Sequence, residues 1–454
     1  MIDSQLLNKY NIPVPRYTSY PTVPFWNSSI DQATWTSAVK EQFAGANKSF
    51  GISLYIHLPF CESLCTYCGC NKKITTNHGV EEKYMGAILK EWNLYLELLE
   101  ETPLIREIHL GGGTPTFFSP ENLHNLVSSI LEKSKLSEGL NFSLEGHPNN
   151  TTKAHLEQLY NLGFRRISYG VQDNDPSVQK IINRIQPFEN VIRATETARQ
   201  IGYTSVNFDL IYGLPLQTPD SIRRTLNQCI SLLPDRVAFY SYAHVPWTSR
   251  GQRLFDETDL PSPIQKNELY RLGKQIFGEN GYQDIGMDHF ALKSDDLYLA
   301  WKNGSLHRNF MGYTTHYTNM TIGLGVSAIS DSGNAFMQNS KSIHDYYSKI
   351  SSGNLAIERG HLLNSEDQVS RKYILDISCR AETQFQKQHI EALEQFTLPE
   401  LRKLERDGLV RLSDDSVVVT PMGRNFIRNI CRAFDLHLLR QQFAPEKKVY
   451  SQAI

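Results

Sequence analysis

The sequence has no apolar run near the ~18 residues that a membrane-crossing helix needs, and Met1 to Pro15 lack the basic-then-apolar layout of a secretory leader. The expectation is a cytoplasmic protein without a membrane partner. Neither sign of charge is in excess: 46 Lys and Arg face 48 Asp and Glu. A whole-chain basic footprint for nucleic acid is therefore missing. There is no fixed-period repeat and no low-complexity tract, which excludes solenoids and propellers. Cysteine is scarce and odd in number, seven in 454 residues. Neither value suits the disulfide framework of a small secreted domain. What is present, 40% hydrophobic and 21% charged residues, suits one large α/β domain with appendages, or two to three domains.

The arrangement of elements is readable. Residues 1–50 gather turn formers and aromatics (Pro13, Pro15, Tyr17, Tyr20, Pro21, Pro24, Trp26), which predict an irregular arm, then a helix near 31–44. From 51 to 245, β-rich runs at 51–57, 105–110, 141–145, 166–172, 204–211 and 236–242 alternate with helical patterns. One helix carries Ile88, Trp92, Tyr95 and Leu99 on one face. Two others open with a capping hydroxyl followed by proline, at Ser119-Pro120 and Thr218-Pro219. Six βα units in a row imply a parallel sheet with right-handed crossovers, as an open barrel or a doubly wound sheet. Both gather ligands at the C-terminal ends of their strands. Residues 246–360 read as mixed structure and long loops, and 362–440 as mainly helical with a hairpin near 409–419. That last order is winged-helix-like and is expected to serve packing rather than DNA.

Four cysteines fall within ten residues just past the first strand: His57-Leu-Pro-Phe-Cys61-Glu-Ser-Leu-Cys65-Thr-Tyr67-Cys68-Gly69-Cys70. Cys229, Cys379 and Cys431 are scattered and read as packing residues. Thiolates are soft ligands for zinc or iron–sulfur clusters. Structural zinc commonly uses paired knuckles, and no second knuckle is present. Three thiolates spaced four and three apart suit a cubane with one iron left open, whereas most clusters take four. Past the second strand lies Gly111-Gly112-Gly113-Thr114-Pro115-Thr116, where glycines permit close backbone approach. Glu145 ends the third strand, placed to accept from an ammonium or ribose, or simply to be solvated.

The cysteine segment resembles the signature of the radical S-adenosylmethionine superfamily. That resemblance implies a [4Fe–4S] cluster whose open iron binds S-adenosylmethionine and cleaves it to a 5′-deoxyadenosyl radical. Longer motifs narrow the resemblance to the oxygen-independent coproporphyrinogen III oxidases: Pro15-Arg16-Tyr17-Thr18-Ser19-Tyr20-Pro21-Thr22, Cys68-Gly69-Cys70-Asn71-Lys72, Gly170-Val171-Gln172-Asp173, Asp209-Leu210-Ile211-Tyr212-Gly213-Leu214-Pro215, Gly286-Met287-Asp288-His289-Phe290-Ala291 and His307-Arg308-Asn309-Phe310. The resemblance implies an open (β/α)6 partial TIM-type barrel with parallel strands. It further implies an N-terminal arm (1–45), a catalytic unit (46–360) and a mostly helical C-terminal domain (361–454).

It also implies roles for residues. The cluster ligands fall on Cys61, Cys65 and Cys68, while Cys70 matches a cysteine that is needed but is not a ligand. One S-adenosylmethionine site maps to Tyr55, Tyr67, Gly112, Glu145 and Ile329. A second maps to Gly113, Thr114, Gln172, Arg184, Asp209 and Ala243, with a structural Asp209–Arg184 ion pair as the alternative. Tyr55, His57 and Cys70 are the expected catalytic residues, although a packed strand-end role also fits His57. The implied substrate is coproporphyrinogen III, whose four carboxylates need cationic partners; Arg16 and Arg308 are the candidates. An electron donor, an electron acceptor and a monomeric state are expected.

Two departures stand out. Gly146-His147-Pro148 replaces the family's Val-Asp-Pro, and Tyr67 replaces phenylalanine, a mild change for stacking. A haem-binding chaperone and a haem-modifying radical methyltransferase share the core; Cys70 and the N-terminal arm argue against the first, and the Pro15–Thr22 arm with the 286–315 motifs against the second.

Overall fold

The computed structural model describes residues 4–26, 30–247, 249–441 and 450. Each β-rich run forms a strand: β1 Ile52–Leu58, β2 Leu104–Gly112, β3 Lys135–Gly146, β4 Phe164–Gln172, β5 Ser205–Tyr212 and β6 Arg236–Ser241. Neighbours pair in parallel in that order. β1 is buried along nearly its whole length, as expected for a strand covered on both faces.

The helix expected near 31–44, α1 Gln32–Ser49, extends beyond its predicted end, and the arm expected to be irregular opens with a short helix, Ser4–Tyr10. The crossovers are α2 Glu81–Leu98, α3 Pro120–Leu131, α4 Lys153–Asn161, α5 Phe188–Ile201 and α6 Pro219–Ser231. The predicted caps form: Ser119 accepts from the Asn122 amide and Thr218 from the Ser221 amide. Ile88, Trp92 and Tyr95 of α2 are fully buried against the sheet.

The region expected as mixed structure and long loops extends the sheet at both edges. It adds helix α7 Pro263–Glu279 and the hairpin β7 Tyr282–Gly286 with β8 His289–Leu292, which pairs antiparallel to β6. On the other side β9 Thr321–Leu324 is a seventh parallel strand, laid on β1. Antiparallel β10 Ile329–Asp331, β11 Ala335–Asn339 and β12 Ile357–Leu362 follow it. The resulting sheet runs β12-β11-β10-β9-β1-β2-β3-β4-β5-β6-β8-β7. Among the described residues no pairing joins its two ends, so the mostly parallel sheet is open.

The arm divides between two cores. Tyr10, Val14, Tyr17 and Tyr20 pack with Ile374, Ile377, Phe426 and Ile430 of the C-terminal helical part. Trp35, Val39 and Phe43 of α1 join the core of the main sheet. The C-terminal part holds α8 Ser365–Arg380 and the predicted hairpin, to which Glu382–Gln384 adds a third strand. Asp367, 2% exposed, accepts from His361 at 2.8 Å and His437 at 2.7 Å, joining β12, α8 and the last described helix. No helix among the described residues is long and apolar enough to cross a membrane.

One buried acid ties the β9 side to the crossover layer. Glu91 of α2 accepts from the Gly325 amide at 2.7 Å, the Tyr346 hydroxyl at 2.7 Å and the Asn339 amide group at 2.6 Å. Burial pushes its pKa from 4.5 up to about 7. The folded chain therefore holds this proton more tightly than the unfolded chain, and stability falls as pH rises through that window. Glu91→Gln is expected to remove this part of the slope, on the order of 3 kcal/mol. Denaturant titrations of both proteins between about pH 5 and pH 8 measure it.

Candidate active site

The cysteine loop is shaped by its neighbour strand. β1 and β2 pair with Tyr55 beside His109, His57 beside Gly111 and Leu58 beside Gly112. Past the strand ends the contact continues: the Gly113 amide donates to Leu58 O at 2.9 Å and the Thr114 amide to Phe60 O at 3.1 Å. A Cβ on Gly113 would stand 2.6 Å from Pro59 O and 3.0 Å from Cys61 Sγ. One on Gly112, at φ +119°, would stand 2.9 Å from the His57 ring. Glycine is thus required at both positions by approach, and at Gly112 also by backbone conformation. Residues Phe60–Cys61 and Lys73–Ile74 pair in parallel, so the loop leaves and returns at one place.

Cys61, Cys65, Cys68 and Cys70 line one cavity of about 420 Å³ at the C-terminal ends of the strands, together with Tyr67, Gly112, Gly113, Thr114, Glu145, Gln172, Arg184 and Asp209. Cys61 Sγ lies 3.3 Å from Thr114 Oγ1, and an Arg184 guanidinium nitrogen donates to Cys65 Sγ at 3.6 Å. Lys72 Nζ donates to Cys68 O at 3.0 Å and Cys70 O at 3.3 Å. A hydrogen bond between Cys70 and Cys68 splits that pair: Cys68 falls to about 6, helped by Lys72, and Cys70 is raised well above the ordinary thiol value. Burial pushes Cys61 up to about 11. A thiol of that kind ionises when a metal cation takes the proton's place.

The donor chemistry tests which metal group fits. Cys61, Cys65 and Cys68 bring three soft sulfur ligands to one cavity, a set that suits an iron–sulfur cluster. A sign of a missing ligand is Arg184 Nε, a buried donor without a partner on the cavity wall. Such orphans are rare in finished interiors.

The remaining predicted residues distribute as follows. Glu145 faces the cavity with one oxygen accepting from the Gly112 amide at 3.2 Å and the other 3.4 Å from His109 Nε2. Asp209 accepts from Ser168 Oγ at 2.7 Å and Asn207 Nδ2 at 2.9 Å, and burial pushes its pKa up to about 6. The alternative ion pair with Arg184 does not form, since Arg184 donates instead to Cys65 and to Gly170 O. Gln172 ends β4 at φ +66°.

Tyr55 and His57 lie one step deeper. His57 Nε2 donates to Asn71 O at 2.9 Å, which fixes Nδ1 as the acceptor for the Tyr55 hydroxyl at 3.0 Å. His57 thereby ties β1 to the returning end of the cysteine loop. Ala243 and Ile329 are outside the cavity lining. Ala243 O accepts from Gln252 Nε2 at 3.1 Å, and the same group donates to Tyr67 O at 3.3 Å. Ile329 sits on β10, its carbonyl against Gly323, which pairs with Tyr55. Arg16 and Arg308 are likewise outside this cavity's lining. Arg16 donates to Ser241 O at 3.0 Å over the Tyr240 ring, and buried Arg308 lies over the Tyr313 ring with Nε and one terminal nitrogen unpartnered.

Sequence reasoning missed several lining residues, of which three bear on the chemistry. Ser168 and Tyr240 line this cavity and a smaller one of about 120 Å³ beneath it that includes Arg166, Arg236 and His289. Their signal was the two-residue alternation of β4 and β6, where Ser168, Gly170 and Gln172 share a face. The third is His147, at the departure from the family pattern. Burial, then the Arg184 charge, pushes it down to about 2, so a neutral ring stands where an acid is usual.

A model of the radical SAM superfamily matches residues 55–229. The oxygen-independent coproporphyrinogen III oxidase of Pseudomonas aeruginosa is 40% identical over 453 residues, 97% of this chain and 98% of its own length. The chain belongs to the oxygen-independent coproporphyrinogen III oxidases. The Escherichia coli oxidase is 37% identical over 97% of this chain and 98% of its own. A solved Escherichia coli coproporphyrinogen III oxidase, described as a radical SAM enzyme, has a TM-score of 0.87 at 36% identity, covering 93% of this chain and 97% of that one. As a member of this oxidase family, the chain uses a [4Fe–4S] cluster and S-adenosylmethionine. Gly113→Ala is expected to push Cys61 aside and lower iron and sulfide content severalfold while far-ultraviolet circular dichroism is kept. Metal and sulfide analysis after anaerobic reconstitution checks it.

Proposed function

We propose that this chain converts two propionate side chains of coproporphyrinogen III to vinyl groups, giving protoporphyrinogen IX in haem biosynthesis. The observation that carries the reading is the glycine-clamped loop bearing Cys61, Cys65 and Cys68 at the head of a parallel sheet, in a chain 40% identical to such an oxidase along its length. When bound, the cluster and S-adenosylmethionine supply an electron and the 5′-deoxyadenosyl radical that removes a substrate hydrogen. Each vinyl group then requires loss of that hydrogen, of CO2 and of one further electron, so both an electron donor and an acceptor are partners.

The residues divide the remaining work. Cys61, Cys65 and Cys68 hold the cluster. Tyr55, Tyr67, Gly112, Glu145 and Ile329 form the first S-adenosylmethionine site, in which Glu145 keeps lone pairs toward the cavity for an ammonium or ribose. Gly113, Thr114, Gln172, Arg184, Asp209 and Ala243 form the second, for which the free Arg184 Nε is a waiting donor. The protonated Cys70 thiol is a hydrogen donor beside the ligands. Arg16 and Arg308 serve the substrate's carboxylates. Residues 46–360 act as the catalytic unit, with 1–45 and 361–454 closing it against water. The protein works as a cytoplasmic monomer.

Anaerobically reconstituted protein is expected to release CO2 and protoporphyrinogen IX from coproporphyrinogen III and S-adenosylmethionine. Cys65→Ser should lose both iron and turnover. Cys70→Ser should keep its iron and sulfide but lose about two orders of magnitude or more in rate. Stoichiometric zinc in place of iron, or haem binding without turnover, would sink the reading.

A further inference from the structure

The cavity beside the cysteines is small for a cluster, its sulfonium cofactor and a tetrapyrrole together, so the substrate needs further room. A second space of about 490 Å³ is bounded by Pro13 of the arm, Gly213, Tyr242, Ala243, Trp247 and Lys266. Through Ala243 it shares a wall with the cysteine loop, because Gln252 bridges Ala243 O and Tyr67 O. The size falls within the range of small-molecule pockets.

Lys266 is set into this cavity. It leaves the first turn of α7, and its stem lies across Gly213: a Cβ there would stand 2.9 Å from Lys266 Cε. Gly213, at φ +83°, is the residue that lets the stem pass. Nζ donates to Tyr242 O at 2.9 Å, which leaves two of its three donors uncommitted. The charge around it is one-sided. Arg16 and Arg428 both act on Lys266 electrostatically, and among the described residues Asp288 is the carboxylate that does so. Arg308 acts on that same Asp288. Arg16, Lys266 and Arg308 spend their hydrogen bonds on the carbonyls of Ser241, Tyr242 and Arg16. Nearby acids are engaged elsewhere: Asp284 pairs with Lys274 at 2.6 Å, and exposed Glu257 lies 3.8 Å from His244 at the rim. Among the described residues, Arg16, Lys266 and Arg308 thus face one inward carboxylate, a costly surplus unless an anion joins them.

We infer that this cavity receives a propionate carboxylate of the substrate, with Lys266 as its direct partner and Arg16 and Arg308 holding the field behind it. The inference rests on the proposed decarboxylation and adds where a carboxylate is gripped. One side chain of the macrocycle reaches past Ala243 into the cavity, and another is left at the cysteine end to react.

The test uses the reconstituted full-length holoenzyme and coproporphyrin III, the oxidised macrocycle with the same four propionates, followed by anaerobic fluorescence titration. Lys266→Met is expected to weaken coproporphyrin III at least about tenfold, the scale of one charged hydrogen bond. Lys266→Arg should recover most of the affinity. Iron and sulfide content reports that each variant is folded and loaded. In turnover, Lys266→Met should raise KM for coproporphyrinogen III more than it lowers kcat. Added salt should weaken the wild type more than Lys266→Met, a comparison that also stands with Lys266→Gln should Met fail to fold. Equal affinities in wild type and loaded Lys266→Met, with wild-type turnover intact, overturn the pocket and leave the reaction standing. A loaded wild type that neither binds the porphyrin nor consumes the porphyrinogen overturns both.

Discussion

The site depends on one close approach, that of the backbone after β2 to the backbone after β1. Side chains are excluded at Gly112 and Gly113, and two amide hydrogen bonds continue the parallel pairing beyond the strand ends. The cysteine loop is thereby fixed at its root, at Leu58 and Phe60. Along its length it is held by neighbours: Asn183 donates to Leu64 O at 2.8 Å, the Thr66 amide to Ile182 O at 3.0 Å and Gln252 to Tyr67 O at 3.3 Å. A ligand-bearing loop supported in this way presents its sulfurs in a fixed arrangement.

Below that root the sheet interior is polar but almost fully paired. Glu107 accepts from Ser53 at 2.8 Å, Asn141 at 3.1 Å and Thr314 at 3.2 Å. Arg236 pairs with Asp295 at 2.6 Å, both nearly unexposed. A satisfied network of this kind makes a stiff floor. The contrast lies toward the arm, where Arg308 keeps unpartnered donors and Lys266 looks into open space. Paired polar groups hold this floor together, while Arg184 and Arg308 keep donors free on the ligand side.

Much of this was legible in the sequence because local chemistry decided it. The six strands, the Ser119 and Thr218 caps and the cysteine spacing depend on residues close in the chain. The strands β9 to β12 were not legible, being three to six residues long and bound to partners far away in sequence, as β9 is to β1. The cavity residues contributed by the superfamily pattern came together around the sulfurs, while Arg16 and Arg308 were placed by motif and lie behind Tyr240. Ser168 and Tyr240 went unnoticed because an inward position on a strand looks like any packing residue until the space opposite is known. The role of Lys266 was hidden for a related reason: its meaning comes from Gly213, fifty-three positions earlier.

The early and late parts of the chain are stitched together. Asn429 donates to Tyr10 O at 3.0 Å, the Tyr17 hydroxyl to Asp435 at 3.0 Å, and Arg428 to the carbonyls of Val14 and Pro15. Synthesis on the ribosome runs in one direction, so the βα core can assemble while these late residues are still to be made. The wall that Pro13 contributes must then be among the last pieces to settle. That flank of the chamber stays unfinished for as long as translation of the final stretch lasts.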